Sequence, residues 1–535
     1  MKYELNHGRI TAGIKSRFLS RSSLNRYAHV QVPALYVIGL IAVMFCCAFE
    51  ASARGAVTRQ EAAGGLHKAV RFFHSEVSSH GGYLWRYSAD LTLREGEGKA
   101  SKTMIWVQPP GTPSIGEAFL DAYEATGEHL YLGAAHDAAR ALLRGQLQSG
   151  GWFYRIEFDP KKRDRYAYRD RAQKHAEREA TASEQDASPG GWVVWKIRKN
   201  RGNLTMLDDD TTQSALRFLM RIDRILDFKD EEIHEAVEYA LASVLRAQYP
   251  NGAWSHNYDR FPARSPDPAY YPIKAASYPQ SWSRTWTKDF TGCYMLNDRI
   301  TCDVIATMLR AFDTYGDERY RASAERGGRF LLLAQMPEPQ PAWAQQYDRH
   351  MHPVWDRQFE PPAITGLESQ AVLETLLLLY RETKKRKYLE PVPPAVAYLR
   401  KSALPDGRLA RFYELRTNKP LYFTKKYELT YSSEDMPTHY GFIVGSRLDS
   451  IEAQYRRQLQ AEPSVEQEQR TEGTSRHSPA FVARVRAVID SMDERGAWVE
   501  QGRLRYHKVE PESGIIDCRT FVDNVRTLCR FLTSD

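Results

Sequence analysis

Cysteine is scarce in this 535-residue chain, which contains six in total. The four that follow the first 53 residues are Cys293, Cys302, Cys518 and Cys529. None are spaced as C-x-x-C, which argues against a zinc site or a redox dithiol and leaves one or two disulfides open in an oxidising compartment. On one continuous helix, Cys518 and Cys529 would lie about 16 Å apart, too far for a disulfide.

The net charge of the chain is also small. The formal net charge is +7, and the first 53 residues contribute six Lys or Arg against two acidic residues, so the rest of the chain carries +3. A uniformly basic nucleic-acid-binding surface is therefore excluded, and no nucleic acid partner is predicted. Affinity for any polyanion has to come from a local cluster of cations.

Long apolar runs are missing after residue 53. The run from Val32 to Phe49 follows a basic stretch and precedes Ala51-Ser-Ala53, which is the order of a secretory signal. We therefore expect residues 1–53 to be a signal peptide and the protein to be exported to the periplasm or the extracellular space. The alternative is an uncleaved membrane anchor, because the run is about as long as a spanning helix.

A repeated unit dominates the remaining chain: an apolar helix, a turn, a second apolar helix, and a turn that ends in an aromatic residue. The predicted pairs are Ser114–Tyr123 with His129–Leu147, Thr211–Leu226 with Glu231–Gln248, Thr301–Tyr315 with Arg319–Gln335, Leu367–Tyr380 with Leu389–Leu399, and His439–Leu459 with Phe481–Asp490. An N-terminal helix, Glu61–Val77, and a C-terminal helix, Asp517–Leu532, remain. If these two pair, the fold is an all-α (α/α) toroid of about six helical hairpins with a cleft at one end, formed by residues 54–535 as one domain. The alternative is an open helical solenoid.

The loop from Pro341 to Gln370 carries many of the candidate binding residues, among them Trp343, Asp348 and Arg357. Aromatic and charged residues concentrated in one loop indicate a binding function, although a simple connector has a similar composition. Thr365 and Glu368 have the spacing of a capping box that begins the next helix.

Two acidic segments precede helices at equivalent places in the repeat. Leu207-Asp208-Asp209-Asp210 comes before one hairpin, and Asn297-Asp298 comes before the next. In a ring, both would meet at one rim. Oxygen-rich clusters of this kind suit Ca²⁺, which takes about six to eight oxygen ligands, although helix capping explains a single Asp equally well.

Five motifs in the order AQYPNGAW, YMLND, AWAQQYD, PVWDRQFEPPAITGLES and ARFYELRTNKPLYF resemble the pectate lyases of polysaccharide lyase family 10. The pectate-lyase-like core covers about residues 204–442. It implies an α/α toroid that cleaves pectate, a polygalacturonate, or a related uronan by calcium-dependent β-elimination. The implied partner is an acidic polysaccharide, and we expect a monomer.

The resemblance also implies roles for individual residues. Arg411 corresponds to the family's Brønsted base, Arg357 to a ligand of the substrate carboxylate, and Asp208 and Asp298 to the calcium site. The substrate-binding residues we predict beside Arg357 are Asp209, Asn297, Trp254, Trp343, Asp348 and Lys419. Because a guanidinium is protonated at ordinary pH, the alternative for Arg411 is an anchor for the charge of the polymer.

Three departures from the family pattern affect this assignment. The family's FDNGAT is LDDDTT here, its GGWPQ is GAWSH, and the second acid of its FNDD motif is Arg299. Two other functions are therefore kept. One is a glycoside hydrolase in which Asp208 and Asp298 act as acid and base about 6.5–9.5 Å apart. The other is a carbohydrate-binding protein without catalysis.

Overall fold

The computed structural model describes residues 57–171, 202–261, 271–286, 294–460 and 477–534. The predicted signal peptide or anchor and Cys293 lie outside the described residues. Among the helices that are described, none has the length and apolar character needed to cross a membrane.

Helices account for most of the regular structure in this part of the chain. Those of ten residues or more are α1 Arg59–Phe72, α2 Thr112–Thr126, α3 His129–Leu143, α4 Thr211–Ile225, α5 Glu231–Arg246, α6 Ile300–Tyr315, α7 Glu318–Ala334, α8 Gly366–Thr383, α9 Val392–Lys401, α10 Leu448–Gln460, α11 Pro479–Asp490 and α12 Cys518–Thr533. Shorter turns are the π-helical Phe73–Val77, the α-helical Pro160–Arg163 and the 3₁₀ segments Arg169–Arg171, Asp208–Asp210, Asn297–Arg299 and Arg386–Tyr388.

The strands are short and all pair antiparallel. They are β1 Arg86–Ser88, β2 Arg94–Gly96, β3 Gly98–Lys99, β4 Met104–Trp106, β5 Arg155–Glu157, β6 Thr205–Met206, β7 Asn257–Tyr258, β8 Tyr294–Met295, β9 Gln346–Tyr347, β10 Ala363–Thr365, β11 Leu409–Ala410, β12 Phe412–Glu414, β13 Pro420–Phe423, β14 Leu429–Thr430, β15 Ile443–Val444 and β16 Ile515–Asp517. The sheets have the orders β16-β1-β2-β3 and β10-β12-β13-β14, with the pairs β4-β5, β6-β7, β8-β9 and β11-β15.

Local sequence explains where the helices begin and which face they bury. Thr58 and Glu61 form a capping box at the start of α1, in which each side chain accepts the other residue's backbone N–H. Gly127 ends α2 with a left-handed φ of 74°. In α12, Phe521, Val525 and Leu528 recur at helical spacing and are buried.

Helices α12, α2, α4, α6, α8 and α10 pack against one another in that order and form the inner layer. Each of α3, α5, α7 and α9 packs against the inner helix that precedes it in the chain, and α1 packs against α12. The fold is therefore an (α/α) toroid, as the repeat predicts. A hairpin of two amphipathic helices cannot bury its apolar face alone, and neighbouring hairpins supply the missing core.

The two ends of the domain meet, as the pairing of the N-terminal and C-terminal helices predicts. Strand β1 pairs with β16, with Arg86 opposite Asp517. The rings of Phe73 and Phe521 stack with centroids 3.6 Å apart. The terminal helices thus complete one another's hairpin.

A short strand ladder closes most hairpins at the end that carries the inner-helix N-termini. The strand before the inner helix pairs with the strand after its outer partner in β4-β5, β6-β7, β8-β9, β10-β12 and β1-β16. This arrangement holds the segment in front of each inner helix in a fixed position. The acidic segments that precede α4 and α6 are held in this way.

The tryptophans that end the repeats lie inside the protein. Trp254 and Trp343 are fully buried, and their indole N–H groups donate to Val244 O at 3.0 Å and to Leu331 O at 2.8 Å. Trp152 and Trp498 donate to helix carbonyls in the same way. Each indole satisfies a carbonyl near the end of an outer helix and packs in the core, which argues against the predicted role of Trp254 and Trp343 in substrate binding.

Three sequence predictions about boundaries and pairing can be compared with the structure. Helix α10 begins at Leu448 rather than at His439, and the preceding residues include strand β15. Thr365 precedes α8, but its side chain does not cap the helix and Glu368 binds elsewhere, so the predicted capping box does not form. Cys518 and Cys529 are free and lie on the same helix, as expected.

Candidate functional site

Two turns of nearly identical conformation lead into α4 and α6. In the first, Asp209 and Asp210 have φ values of 50° and 58°; in the second, Asp298 and Arg299 have values of 45° and 66°. Asp tolerates this left-handed conformation better than most residues do. Each turn follows a strand held in a ladder, so Asp209 and Asp298 occupy equivalent positions in neighbouring repeats.

The two turns bring three carboxylates together. Asp208, Asp209 and Asp298 each contribute one oxygen, and these oxygens lie within 4.8 Å of one another. Two hydrogen bonds orient them: Tyr154 donates to Asp208 Oδ2 at 3.0 Å, and the Gln108 amide donates to Asp209 Oδ2 at 2.7 Å. We refer to these three aspartates as the acidic cluster.

The acidic cluster carries more negative charge than its protein surroundings compensate. Burial, reinforced by the charges of Asp208 and Asp298, raises the pKa of Asp209 to about 8. Burial and the charge of Asp208 raise the pKa of Asp298 to about 6, although Arg357 opposes this shift. Within the described residues, the buried Oδ1 of Asp208 has no hydrogen-bond donor. Hard oxygen ligands, excess negative charge and an unpartnered oxygen together fit a divalent cation.

Arg357 lies beside the acidic cluster, and the carboxylate of Glu360 fixes the plane of its guanidinium group. Its Nε and NH2 groups donate to the two oxygens of Glu360 at 2.8 and 2.6 Å, and NH2 also reaches Asp298 Oδ2 at 3.2 Å. Burial opposes the charge of Arg357, but Glu360 raises the pKa of the guanidinium well above its usual value. The Arg357 side chain remains 42% exposed, so it is available to a ligand.

Arg411 approaches Asp298 from another direction and is more deeply buried. Its NH2 group donates to Glu368 Oε1 at 2.7 Å and lies 3.5 Å from Asp298 Oδ1. The guanidinium sits 4.3 Å from the centre of the Tyr440 ring. Burial opposes the charge, but Glu368, Tyr440 and Asp298 together raise the pKa of Arg411, so in this state it is a cation.

Three predicted substrate-binding residues occupy other positions. Asn297 is fully buried and donates to Glu360 Oε1 at 3.3 Å, so it stabilises the network beneath Arg357. Asp348 accepts the backbone N–H groups of His350 and His352 at 2.8 and 2.9 Å and thereby shapes its own loop.

Lys419 is exposed, and its Nζ lies 5.2 Å from the centre of the Tyr431 ring. The described contacts of Lys419, Asn297 and Asp348 do not include the acidic cluster. The burial of Asn297 argues against direct contact with a substrate, and substrate binding by Asp348 and Lys419 stays a prediction.

Several residues that organise the site are not predictable from their local sequence. Glu360 is buried between Arg357 and the Tyr440 hydroxyl, which donates to it at 3.0 Å. Asp356 is buried beside His256, 3.3 Å from its Nε2, and burial raises the pKa of Asp356 to about 6. Glu368 looked like a helix cap in the sequence. The only local signal was the high density of charged residues between Pro341 and Gln370.

Comparison with known proteins agrees with the resemblance seen in the motifs. Residues 173–409 match the family model described as pectic acid lyase, and the match stops two residues before Arg411. No curated protein gives a significant match. The resemblance to this family is confirmed over the matched segment.

Several solved structures are similar at low identity. A family 10 polysaccharide lyase from Cellvibrio cellulosa is 17% identical, with a TM-score of 0.40, covering 64% of this chain and 97% of that one. A mutant of that lyase in complex with trigalacturonic acid is 16% identical, also with a TM-score of 0.40, covering 64% and 98%. Cellobiose 2-epimerase from Bacillus thermoamylovorans is 13% identical, with a TM-score of 0.41, covering 89% and 98%.

Proposed function

We propose that this chain, which matches the pectic acid lyase family over residues 173–409, is a calcium-dependent lyase that cleaves pectate or a related uronan by β-elimination. The observation that carries the proposal is the position of Asp298. It belongs to the acidic cluster and is also within 3.2 Å of Arg357 and 3.5 Å of Arg411. A cation site and two guanidinium groups thus adjoin at one carboxylate, as a reaction on a uronate requires.

Asp208, Asp209 and Asp298 are the residues that would hold Ca²⁺. A bound Ca²⁺ supplies positive charge that neutralises the uronate carboxylate and favours loss of the neighbouring C5 proton. The unpartnered Asp208 Oδ1 and the raised pKa of Asp209 support this assignment, since both reflect negative charge without a counterion. Asp209, predicted to bind substrate, is better placed as a third cation ligand.

Arg357 is the proposed ligand of the substrate carboxylate. Glu360 holds it by two hydrogen bonds, which orient the guanidinium plane before substrate arrives. Its exposed fraction and its remaining N–H donors suit a second carboxylate. Because its orientation is fixed in advance, little conformational entropy is lost on binding.

Arg411 is the proposed base, on the strength of the family resemblance. Its position next to Asp298 is suitable, but Glu368 and Asp298 raise its pKa, so proton abstraction requires that substrate binding reduce this stabilisation. The alternative bases are Lys425, Tyr413 and His439. Tyr413 is fully buried with its hydroxyl on Ser402 O, and Lys425 pairs with Asp435 at the surface, which leaves His439 as the main competitor.

The glycoside hydrolase alternative has less geometric support. An inverting mechanism needs its carboxyl groups about 6.5–9.5 Å apart to admit a water molecule. Oxygens of Asp208 and Asp298 lie within 4.8 Å of each other, and Arg357 contacts Asp298 directly. This crowding favours joint binding of a cation over separate acid and base roles.

A panel of uronic acid polymers tests the function. Purified residues 54–535 are incubated with each polymer in Ca²⁺ or in excess chelator, and unsaturated ends are followed by ultraviolet absorbance. We expect absorbance to rise in Ca²⁺ alone. Products with saturated ends would instead indicate a hydrolase, and binding without any product would indicate a non-catalytic carbohydrate-binding protein. The Asp227→Asn variant, at an exposed aspartate just beyond the C-terminal end of α4, serves as a control for nonspecific effects.

The proposal also includes export by the first 53 residues, as a cleaved signal or an anchor, and a monomeric enzyme. N-terminal sequencing of the protein recovered after expression with its own leader distinguishes a cleaved signal from an uncleaved anchor. A start at or near residue 54 supports cleavage, and an intact N-terminus in the membrane fraction supports the anchor. Light scattering measures the mass of the mature protein.

A further inference from the structure

A cavity of about 770 Å³ extends from the acidic cluster between the N-terminal turns of α4, α6 and α8. Asp209 and Asp298 form part of its wall, so it is continuous with the proposed cation site. Glu374 is eight residues into α8, about 12 Å along that helix, so the cavity reaches well below the rim. Its volume is in the range typical of ligand sites.

The wall of this cavity is predominantly acidic. Its charged residues are Asp209, Asp210, Asp298, Asp303, Glu368 and Glu374, against Arg299 and Arg447. Asp210 and Glu368 are paired with Arg217 and Arg411, and Asp209 and Asp298 would be ligands of the cation. The wall therefore carries no surplus positive charge to attract a second uronate.

The arginines at the cavity are also already engaged. Arg299 contacts Asp303 at 3.1 Å and Glu374 at 3.3 Å, and Arg447 contacts Glu374 at 2.7 Å. Arg217 pairs with Asp210. A carboxylate of the polymer would have to share these cations with the protein carboxylates that already neutralise them, which reduces the gain in binding free energy.

Hydroxyl groups, in contrast, match what the wall offers. Glu368 is 2% exposed, and its Oε2 has no hydrogen-bond donor within the described residues. The buried Oδ1 of Asp210 also lacks a donor among these residues. Arg299 uses Nε and NH1 in its described contacts, which leaves NH2 to donate. Acceptors and a donor placed in this way suit the hydroxyls of an uncharged sugar ring.

We infer that this cavity is the subsite for a neutral sugar next to the reacting uronate, so that the substrate is a polymer in which uronic acids alternate with neutral sugars. The inference rests on the proposed lyase function and specifies its substrate class. Arg299 is then a specificity residue. Arg299 occupies the position at which the pectate lyase family has a second acid. Its ion pairs with Asp303 and Glu374 form the part of the cavity wall that would face the neutral sugar.

Two polymers of matched length test the inference: homopolygalacturonate and a linear polymer that alternates galacturonate with rhamnose. In Ca²⁺, we expect kcat/KM on the alternating polymer to exceed that on the homopolymer by about tenfold or more, because unpaired polar groups in the cavity penalise the wrong sugar. Equal or faster cleavage of the homopolymer overturns the inference and leaves the lyase function standing.

Calorimetry decides the case in which neither polymer is cleaved, which would refute the lyase function alone. Oligomers of both kinds are titrated into the protein with Ca²⁺. Tighter binding of the alternating oligomer upholds the neutral-sugar subsite, and equal or weaker binding rejects it.

A charge-neutralising variant provides a second test. Asp303→Asn combined with Glu374→Gln keeps the size of both side chains and frees Arg299 and Arg447 to receive a carboxylate. We expect the preference for the alternating polymer to fall about tenfold, mainly through tighter binding of the homopolymer. An unchanged preference contradicts the inference.

Glu382→Gln is the matched control, since it removes a carboxylate from the same helix where the side chain contacts Arg381 at the surface. It should leave the preference unchanged. If the double variant does not fold, Glu374→Gln alone, checked by thermal unfolding, should give a smaller shift in the same direction.

Discussion

The Arg411 guanidinium donates to Glu368 Oε1 over 2.7 Å, and both side chains are almost entirely buried. This ion pair joins the start of α8 to Arg411, which lies between β11 and β12, after the outer helix α9 of the same hairpin. Glu368 therefore does not cap its own helix. It holds Arg411 beside Asp298 and stabilises its protonated form. Any role of Arg411 in proton transfer is therefore controlled by Glu368.

Substitution of Arg411 distinguishes a base from an anchor. If Arg411 removes the C5 proton, Arg411→Lys and Arg411→Ala should each lower kcat by about 100-fold or more with a modest change in KM, because the lost interaction belongs to the transition state. Steady-state kinetics and calorimetry with a uronate oligomer measure the two effects. Near-normal kcat in either variant would identify an anchor and direct attention to His439.

Calcium binding should depend on Asp208. At a Ca²⁺ concentration about 100 times Kd, a single site stabilises the folded protein by about 2.7 kcal/mol, which raises the Tm. Asp208→Asn should abolish most of this rise, whereas Asp227→Asn, at an exposed aspartate, should retain it. Mg²⁺ should give a smaller rise since it demands a tighter, near-octahedral shell. A full Ca²⁺ response in Asp208→Asn would disprove the assigned ligand.

Without metal, the protein should lose stability as pH rises. In the folded protein the pKa of Asp209 is raised to about 8, whereas an aspartate in an unfolded chain has a pKa of about 3.9. Between these values the folded state binds the extra proton, so its stability is greatest at low pH and declines through this window. The Tm in chelator should therefore fall from pH 5 to pH 8.5.

The Asp209→Asn variant should show a smaller fall in Tm across that pH range. Asp227→Asn is a close control, because Asp227 has a φ of 54° and Asp209 has one of 50°, but Asp227 is exposed. Parallel curves for Asp209→Asn and the unmodified protein would show that Asp209 does not titrate in this range.

Trp343 should matter for stability and not for substrate affinity. Trp343→Phe removes the hydrogen bond to Leu331 O and leaves a void, so the free energy of unfolding should drop by about 2–3 kcal/mol. Urea unfolding measures this loss, and calorimetry at low temperature should give an unchanged affinity for a uronate oligomer. A large loss of affinity in a folded variant would return Trp343 to the binding site. Trp282→Phe, at a half-exposed tryptophan, should affect stability much less.

The repeat was readable because helical hairpins are encoded locally. Apolar residues at helical spacing, turn residues between them and an aromatic residue at the end recur in each unit, and stacking of such units is the general way to bury their faces. Pairing of the N-terminal and C-terminal helices followed from the two halves left over. The alternation also placed Asp208 and Asp298 at one rim, since both precede inner helices.

The environment of each side chain depended on neighbours distant in the sequence. Local spacing made Thr365 and Glu368 look like a capping box, but the buried charge of Arg411 attracts Glu368 more strongly than a backbone amide does. The turns that hold Trp254 and Trp343 suggested substrate binding, yet both indoles donate to helix carbonyls and are buried in the core.

The sequence by itself thus determined the toroid and the rim on which acids and cations gather, because periodicity and turn positions are properties of consecutive residues. Tertiary structure alone decided that Asp209 joins Asp208 and Asp298, that Glu360 and Glu368 hold the two arginines, and that an acidic cavity lies beside them. The physical reason is that electrostatic energy depends on distance and burial, and both are set by how separate hairpins pack.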